Sequence, residues 1–431
     1  MPTLTQQQID AGKSAADSLH ARLNKIYQQD MLVFGNQDSL AYGRSNGGWR
    51  GKSPTNINAI DLTSDLTDIS IALDNNDAPG LYGWDLIGLE DIANAATIDL
   101  SKSSAKLRNN IPVKDVIAWI RKVHKSGGIN TVCWHMRNPS TKGDYNDLSD
   151  PAALAKVVTA NSSANKNLIS WLDKAVNFFS CLLDDNGMPI PVIFRPYHEV
   201  TNFAAFFWWN QINDTNATAS DYQQLWEITI SHLYDKGISH LLNAFCMNDF
   251  FIEGNTGKTF DRVRAMIPDP SLYDIIGFDA YQRLNTQEQQ NNHPQCNTSQ
   301  IGDAYNYDSN NFISRMRQQM DEINELAIEF HKIPALTEFG ADYFFDDSSW
   351  WTNTVQQIIA DKNIAYLMTW RNPPYQEGDQ SPYYSAYYDP QGPDLSDKNV
   401  DFVNDFIEFY NSNAYTNQRI LFLKELSNSF G

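Results

Sequence analysis

Short apolar runs recur along this chain, and each is followed by a polar loop and then by apolar residues at helical spacing. Eight runs are predicted to be strands, at 31–37, 80–88, 129–136, 191–199, 241–248, 273–281, 334–340 and 365–372. Helical periodicity is clear at 113–128, 168–183, 221–237 and 312–332. No run reaches the ~18 apolar residues that a membrane span needs, so no membrane partner is expected.

Alternation of strands and helices predicts a parallel sheet with crossover helices. Eight repeats favour an α/β fold of the closed (β/α)8 TIM barrel type over a doubly wound open sheet, which is the alternative. No linker divides the chain, so we expect one catalytic domain over 1–431, with barrel strands within 31–372 and helices at about 397–431. Neither a GxGxxG motif nor a P-loop is present, which gives nucleotide binding no support.

The predicted strands begin apolar and end on polar or aromatic residues. The eight end residues are Gln37, Asp85, His135, Glu199, Asn248, Tyr281, Glu338 and Trp370. In a parallel barrel all carboxyl ends of the strands meet at one face, and that face carries the chemistry. The pattern therefore predicts a site at this mouth.

Two of these ends are glutamates, Glu199 and Glu338, and such a pair is what cleavage of a glycosidic bond requires. One carboxyl must be protonated, and desolvation among the rings that follow Glu199 would favour that form. The other must be ionised, and a hydrogen bond from Tyr281 would keep Glu338 so. The alternative is that each glutamate is a salt-bridge partner at the mouth.

Arg195 shares a strand side with Glu199, because side chains alternate along a strand. It is expected to point into the barrel beneath Glu199, where a buried arginine needs a carboxylate, and to orient and charge the base of the site. His135 and His198 are expected to donate hydrogen bonds to sugar hydroxyls or to the acid. They lack a third ligand at recognisable spacing, so no metal is expected.

Aromatic residues near the mouth suit a neutral sugar, whose C–H faces stack on flat rings. The candidates are Trp134, His135, Phe206, Trp208, Trp209 and Trp370. Packing in the core is the alternative for each tryptophan. That alternative is weakest for Trp370, which ends the eighth strand beside Arg371 and Asn372. Trp350 and Trp351 fit packing or a distal sugar platform.

The 431 residues carry a formal net charge of −20. Such a surface repels a phosphate backbone, so nucleic acid is not an expected partner. The four cysteines form no CxxC pair, which argues against a zinc ribbon or an extensive disulfide framework. The first residues do not resemble a signal peptide, so the chain is either cytosolic or a mature secreted form. Four N-x-S/T sites favour secretion, which is the expectation.

These segments resemble glycoside hydrolase family 26, a clan A family dominated by β-mannanases. The resemblance rests on motifs in order from about residue 30 to 375: FGNQDSLAYG (34–43), YGWDLIGLE (82–90), WHMRNP (134–139), RPYHE (195–199), FFWW (206–209), GFDAY (277–281), TEFG (337–340) and MTWRN (368–372). It implies a (β/α)8 barrel and a retaining mechanism without a cofactor. The implied substrates are mannan, glucomannan or galactomannan, cleaved by a monomer.

The resemblance assigns Glu199 as the acid/base and Glu338 as the nucleophile, and Trp370 as the ring under the sugar beside the cleaved bond. The expected sugar-binding residues are His135, His198, Phe206, Trp208, Tyr281, Trp370, Arg195, Asp279 and Trp134. The chain departs from the family after the acid, where the usual Gly-Ser is absent and Phe206 stands near the usual first Trp. Asn36 also stands where a histidine is usual.

Three other functions remain as alternatives to a mannanase. Some members of this family cleave mixed-linkage β-glucan or β-1,3-xylan instead. A barrel that binds sugar without cleaving it would share the fold, since fold does not imply function. A metal-dependent hydrolase on the same barrel is the third alternative.

Overall fold

The strands of this protein close into a parallel barrel. In a computed structural model, the described residues are 4–43, 45, 49–50, 62, 67–74, 77–108, 110–201, 206–212, 216–248, 263–282, 309–341, 349–372, 385–387, 396–412 and 419–430. The barrel strands are β1 (Met31–Gln37), β2 (Leu81–Asp85), β3 (Ile129–Trp134), β4 (Val192–Pro196), β5 (Leu241–Asn248), β6 (Ile275–Gln282), β7 (Ile333–Ala341) and β8 (Tyr366–Thr369).

Each barrel strand pairs in parallel with the next along the chain, and β8 pairs back to β1. The predicted (β/α)8 barrel is thereby confirmed. A short further strand, β9 (Arg419–Leu421), pairs with the first three residues of β1, before β2 begins to pair at Gly35. The peptide groups at the start of β1 therefore have a partner along that edge. A two-residue antiparallel pair joins Tyr42–Gly43 to Trp49–Arg50.

Helices lie between the strands and after them. They are α1 (Gln6–Gln28), α2 (Asp68–Ala72), α3 (Val113–Lys125), α4 (Ala153–Val158), α5 (Ser163–Ser180), α6 (Ala219–Asp235), α7 (Ser309–Phe330), α8 (Gln356–Ile359), α9 (Ser396–Asn411) and α10 (Leu423–Phe430). Short 3-10 turns cover Leu89–Asp91, Trp208–Asn210 and Pro270–Leu272, and a π-turn over Trp351–Val355 precedes α8. Among the described residues, no helix is both long and apolar enough to cross a bilayer.

Local signals explain where these helices begin and end. Thr5 caps α1 by accepting from the backbone N–H of Gln8, whose side-chain oxygen accepts in turn from the backbone N–H of Thr5. Thr218 and Asp221 form the same reciprocal cap on α6. Helix α3 ends just before Gly127, whose φ of 81° is the left-handed conformation that a glycine adopts without strain.

Helix α1 closes the amino-terminal end of the barrel. Its buried face includes Leu19, Leu23 and Ile26. These residues form one apolar cluster with residues at the starts of the strands, among them Val33 and Ile129. Removing a leucine or isoleucine from water stabilises the fold by ~1.5–3 kcal/mol per side chain. This end is therefore filled with side chains, and the polar residues lie at the opposite, carboxyl end.

Three of the four cysteines, Cys133, Cys181 and Cys246, are buried free thiols. Cys296 lies outside the described residues. Trp350 and Trp351 are buried and pack in the core, which resolves the choice left open for them. The extent of the catalytic domain, from 1 to 431, stays a prediction.

Candidate active site

Glu199 is delivered to the mouth by a strained turn after β4. Tyr197 and Glu199 have φ values of 50° and 57°, in the left-handed region that costs a non-glycine residue ~1–3 kcal/mol. The strand was predicted to run to residue 199, but it ends at Pro196 because the chain turns here. Glu199 is thereby left half-buried at the rim rather than within the sheet.

Neighbouring elements hold this turn in place. Helix α6 contributes Tyr222, whose hydroxyl donates to the carbonyl of Tyr197 at 2.9 Å. The indole of Trp209 donates to the carbonyl of His198 at 2.8 Å, and the Asn210 amide donates to the carbonyl of Glu199 at 3.3 Å. The aromatic segment that follows Glu199 therefore fixes the backbone of Glu199.

Glu338 lies opposite, on β7, and is buried. Arg195 of β4 donates to its Oε1, and the Tyr281 hydroxyl of β6 donates to its Oε2 at 2.7 Å. The hydrogen bond expected from Tyr281 is confirmed. Carboxylate oxygens of Glu199, Asp279 and Glu338 all lie within 4.8 Å of one another. The fold thus brings together two glutamates that are far apart in the sequence.

The charge on Glu338 depends on opposing effects. The net result is a pKa of about 7 for Glu338: burial raises the pKa most, Arg195 and the Tyr281 hydroxyl lower it, and the nearby Asp279 raises it. Burial would lower the pKa of Arg195, but Asp279 and Glu338 raise it well above its usual value, so the guanidinium stays charged. A carboxyl held in this way becomes ionised as the pH rises through about 7.

Arg195 and Asp279 are fully buried, and they meet Glu338 rather than open solvent. Asp279 accepts from the Arg195 guanidinium at 2.8 Å, from the Thr337 hydroxyl at 2.7 Å and from the Cys246 thiol at 3.0 Å. The inclusion of Arg195 and Asp279 among the sugar-binding residues is therefore corrected, because neither has a surface that a sugar could touch. They position and charge Glu338 from below, as expected for Arg195 from strand alternation.

A second row of polar side chains runs from β2 to His198, the residue before Glu199. Asp85 accepts from Nδ1 of His135 at 2.8 Å, and Nε2 of His135 lies 3.2 Å from Nε2 of His198. Burial, Arg195 and His135 hold the pKa of His198 well below its usual value, so this imidazole is neutral. Both ring nitrogens of His135 thus face protein partners, and its expected contact with sugar hydroxyls stays a prediction.

The aromatic residues divide into buried and accessible groups. Trp134 and Trp208 are fully buried, and their indoles donate to Glu90 and to the carbonyl of Met136. Their predicted contact with sugar is corrected to packing, because neither ring has a free face. Trp209 is also buried. Phe206 and Trp370 remain half-buried at the mouth, and the Trp370 ring centre lies 6.1 Å from that of His135.

The comparisons with known proteins agree with this geometry. The family model described as "Glycosyl hydrolase family 26" matches residues 18–325. The chain belongs to glycosyl hydrolase family 26. A mannan endo-1,4-beta-mannosidase of Bifidobacterium adolescentis is 27% identical over 305 residues. That match covers 68% of this chain but 26% of the relative, so the chain spans about a quarter of the length of that protein.

Solved structures of family 26 proteins share the fold. The catalytic domain of a Bacillus sp. JAMB-750 GH26 endo-beta-1,4-mannanase is 26% identical, with a TM-score of 0.72 over 98% of this chain and 95% of the other. A GH26 beta-mannanase from Bacteroides ovatus is 23% identical, with a TM-score of 0.71 over 96% and 97% of the two chains. The second likeness shows the barrel alone.

Sequence reasoning missed several residues at the mouth of this family 26 barrel. Tyr145 is half-buried, and its ring centre lies 4.9 Å from that of His135. Arg371 lies 5.3 Å over the ring of Trp370 and pairs with Asp38 at 3.0 Å. The charged Arg371 next to the strand-end Trp370 was a usable signal, whereas Tyr145 lies in a long loop with no pattern to mark it.

The departure at Asn36 has a local explanation. Asn36 is buried, and its side-chain amide donates to the Thr369 hydroxyl at 3.0 Å. It therefore links β1 to β8 where the barrel closes. The altered loop after Glu199 lies partly in 202–205, outside the described residues.

Within the described part of the chain, two groups of side chains have the composition of metal ligands, namely Asp85, Cys133 and His135, and the acidic trio Glu199, Asp279 and Glu338. In the first group, Asp85 and His135 already bind each other. In the second, Arg195 supplies positive charge to two of the three carboxylates. Two members of each group thus already have a partner within the protein.

Proposed function

We propose that this family 26 protein is a retaining endo-β-1,4-mannanase that hydrolyses mannan, glucomannan or galactomannan. The observation that carries the proposal is the proximity of Glu199 and Glu338, whose carboxylate oxygens lie within 4.8 Å. Retaining glycosidases place the two carboxyl groups ~5–5.5 Å apart, whereas inverting enzymes need ~6.5–9.5 Å to admit a water molecule. The short separation supports direct attack by one carboxylate.

In the proposed reaction, Glu338 attacks the anomeric carbon while Glu199 gives its proton to the leaving glycosidic oxygen. The bond to the leaving sugar breaks and an ester to Glu338 forms. Glu199, now ionised, takes a proton from water, which attacks the anomeric carbon and releases Glu338. Arg195 and Tyr281 favour the anionic form of Glu338 that starts and ends the cycle.

The substrate proposal rests on the mouth and on the relatives. Trp370 is half-buried and held by Arg371, which suits a flat platform beneath a sugar ring. The Bifidobacterium relative is named as a mannan endo-1,4-beta-mannosidase. We also propose that the enzyme is secreted, because a polysaccharide cannot cross a membrane. It would act as a monomer, because both carboxylates come from one chain.

The test is release of reducing sugar from glucomannan, galactomannan, linear mannan, mixed-linkage β-glucan and β-1,3-xylan. Activity on the mannans alone supports the proposal. Activity on the glucan or the xylan alone keeps the two-glutamate mechanism and overturns the substrate. No release of reducing sugar from any of the five polysaccharides favours a barrel that binds sugar without cleaving it. Proton NMR of the first product distinguishes retention from inversion.

Three variants test the assigned roles. Glu338→Ala and Glu199→Ala should each lower kcat by orders of magnitude, because each removes one of the two reacting groups. Glu329→Ala is the matched control, since Glu329 forms an exposed ion pair with Arg264 on the outer helices. Normal hydrolysis by either of the first two variants would refute the mechanism.

A further inference from the structure

Asp85, His135 and His198 form a row of hydrogen-bonded side chains, called the relay below. The relay has a feature that the proposed reaction does not use. Nδ1 of His198 is buried and has no hydrogen-bond partner among the described residues. The other ring nitrogen of His198 meets His135, and Nδ1 of His135 meets Asp85. The protonation of all four ring nitrogens is therefore linked to one carboxylate.

The orientation of Asp85 is determined by the backbone. Its Oδ1 accepts from the N–H of Ile87 at 3.0 Å and from the N–H of His135 at 3.2 Å. Its Oδ2 is left to face Nδ1 of the His135 ring at 2.8 Å. Burial would raise the pKa of Asp85, but His135 lowers it below its usual value, so the group is a carboxylate that can only accept.

The positions of the protons follow from this. A carboxylate requires Nδ1 of His135 to carry a proton, so Nε2 of a neutral His135 is an acceptor. The Nε2 of His198 must then be the donor in the contact between the two rings. Nδ1 of His198 is then the unprotonated ring nitrogen. A buried N–H without an acceptor would be costly there, because orphaned buried donors are rarer than orphaned acceptors.

We propose that Asp85 is a positioning residue: it sets the tautomers of His135 and His198, and so keeps an unprotonated nitrogen in the residue immediately before Glu199. This role rests on the proposed function of Glu199 as the acid/base. Because the proton of His198 is on Nε2, the side chain can pack within the strained turn without burying an unpaired donor at Nδ1. The turn then holds Glu199 where the leaving oxygen needs it.

Asp85→Asn tests the relay sharply. The amide oxygen is held by the two backbone N–H groups, so the NH₂ group must face His135 and donate to its Nδ1. That places the proton of His135 on Nε2 and, in turn, the proton of His198 on Nδ1. Nitrogen NMR of protein with ¹⁵N-labelled histidine reports which ring nitrogens are protonated, and His135→Gln and His198→Gln assign the two signals.

In the wild-type protein, we expect a proton on Nδ1 of His135 and on Nε2 of His198. In Asp85→Asn both should move to the other nitrogen. The opposite tautomers in the wild type, a doubly protonated His135, or unchanged tautomers in the variant would each overturn the proposal. The wild-type spectrum alone can do so, even if the variant does not fold.

Activity provides the second readout. Asp85→Asn should lower kcat about ten- to hundredfold with little change in KM, because relieving a buried unpaired donor worth ~1–3 kcal/mol shifts the turn and with it Glu199. Glu90→Gln is the control: Glu90 is also a buried carboxylate that accepts from a backbone N–H, at 2.9 Å, but among the described residues its side chain accepts from Arg137 and Trp134 and from no histidine. In Glu90→Gln, the tautomers of His135 and His198 and the value of kcat should match those of the wild type. Inverted tautomers with an unchanged kcat would overturn the positioning role.

A double variant separates a positioning effect from general damage. If Asp85 acts through His198, then Asp85→Asn should cost little further kcat in a His198→Phe background, because the linked nitrogen is gone. Fully additive losses would contradict the relay. These outcomes are distinct from failure of the proposed function, since an inactive wild type refutes the mannanase while its histidine tautomers still test the proton relay.

Discussion

Tyr281→Phe isolates the hydrogen bond that favours the ionised form of the proposed nucleophile. The change removes one oxygen and keeps the ring, so the packing around β6 is retained. The lost hydroxyl group donates to Oε2 of Glu338 at 2.7 Å. Burial raises the pKa of Glu338 to about 7 even with this bond and with Arg195 lowering it. Without the hydroxyl, the pKa of Glu338 should rise further.

The expected magnitude follows from the bond. A hydrogen bond to a charged group contributes ~1.5–3 kcal/mol, and ~1.36 kcal/mol corresponds to one pKa unit. The pKa of Glu338 should therefore rise by about one to two units. The nucleophile must be ionised, so activity falls as the pH drops below the pKa of Glu338. In Tyr281→Phe this fall should occur at a pH about one to two units higher than in the wild type. At pH 7 the ionised fraction of Glu338 should drop from about one half to about 0.09–0.01, so kcat/KM should fall about five- to fiftyfold and recover in part as the pH rises.

The assay is the pH profile of kcat/KM on a soluble mannan oligosaccharide, whose acidic limb reports the free enzyme. The wild-type limb should lie near pH 7, and that of Tyr281→Phe should lie higher. Tyr82→Phe is the control, because the buried Tyr82 hydroxyl has no hydrogen-bond partner among the described residues. The reasoning would be refuted if the acidic limb of Tyr281→Phe lay at the wild-type pH or at a lower pH.

Four further outcomes are expected. Arg195→Met leaves two buried carboxylates without their counter-charge and should cost ~3–5 kcal/mol of unfolding free energy in urea denaturation, a loss that a surface Lys→Met variant should not show. Gly83→Ala would place a Cβ 1.8 Å from Oε1 of Gln37 and should cost ~1–3 kcal/mol in the same assay. Trp370→Ala removes ~80 Å² of apolar contact at ~25 cal/mol per Å² and should lower kcat/KM about thirtyfold. A change under twofold would remove Trp370 from the sugar site. Dialysis against EDTA should leave hydrolysis unchanged, and a loss restored by a divalent cation would contradict the metal-free mechanism.

The barrel and its mouth were predictable from the sequence. Apolar runs of strand length are short-range signals, and the bounds predicted for β1 and β5 agree with the structure. The carboxyl ends of parallel strands share a face, so strand-end residues such as Glu199, Glu338 and Tyr281 could be placed at one mouth before any contact was known.

Which side chains meet at that mouth was decided by the tertiary structure. Arg195 could have paired with either glutamate, and barrel closure places it against Glu338 and Asp279. Strand alternation alone could not show that Trp134 points away from the cleft toward Glu90. The relay from Asp85 joins residues that are 50 and 63 positions apart.

The strained turn at Glu199 shows most clearly why the site could not be predicted from local sequence. Local preferences disfavour a left-handed glutamate, so a sequence pattern extends the strand through it. Contacts from Tyr222, Trp209 and Asn210 compensate for that strain. Periodicity reports the local free energy of each segment, and therefore determined the strands and helices. The site depends on contacts between distant segments, which exist only once the barrel has closed.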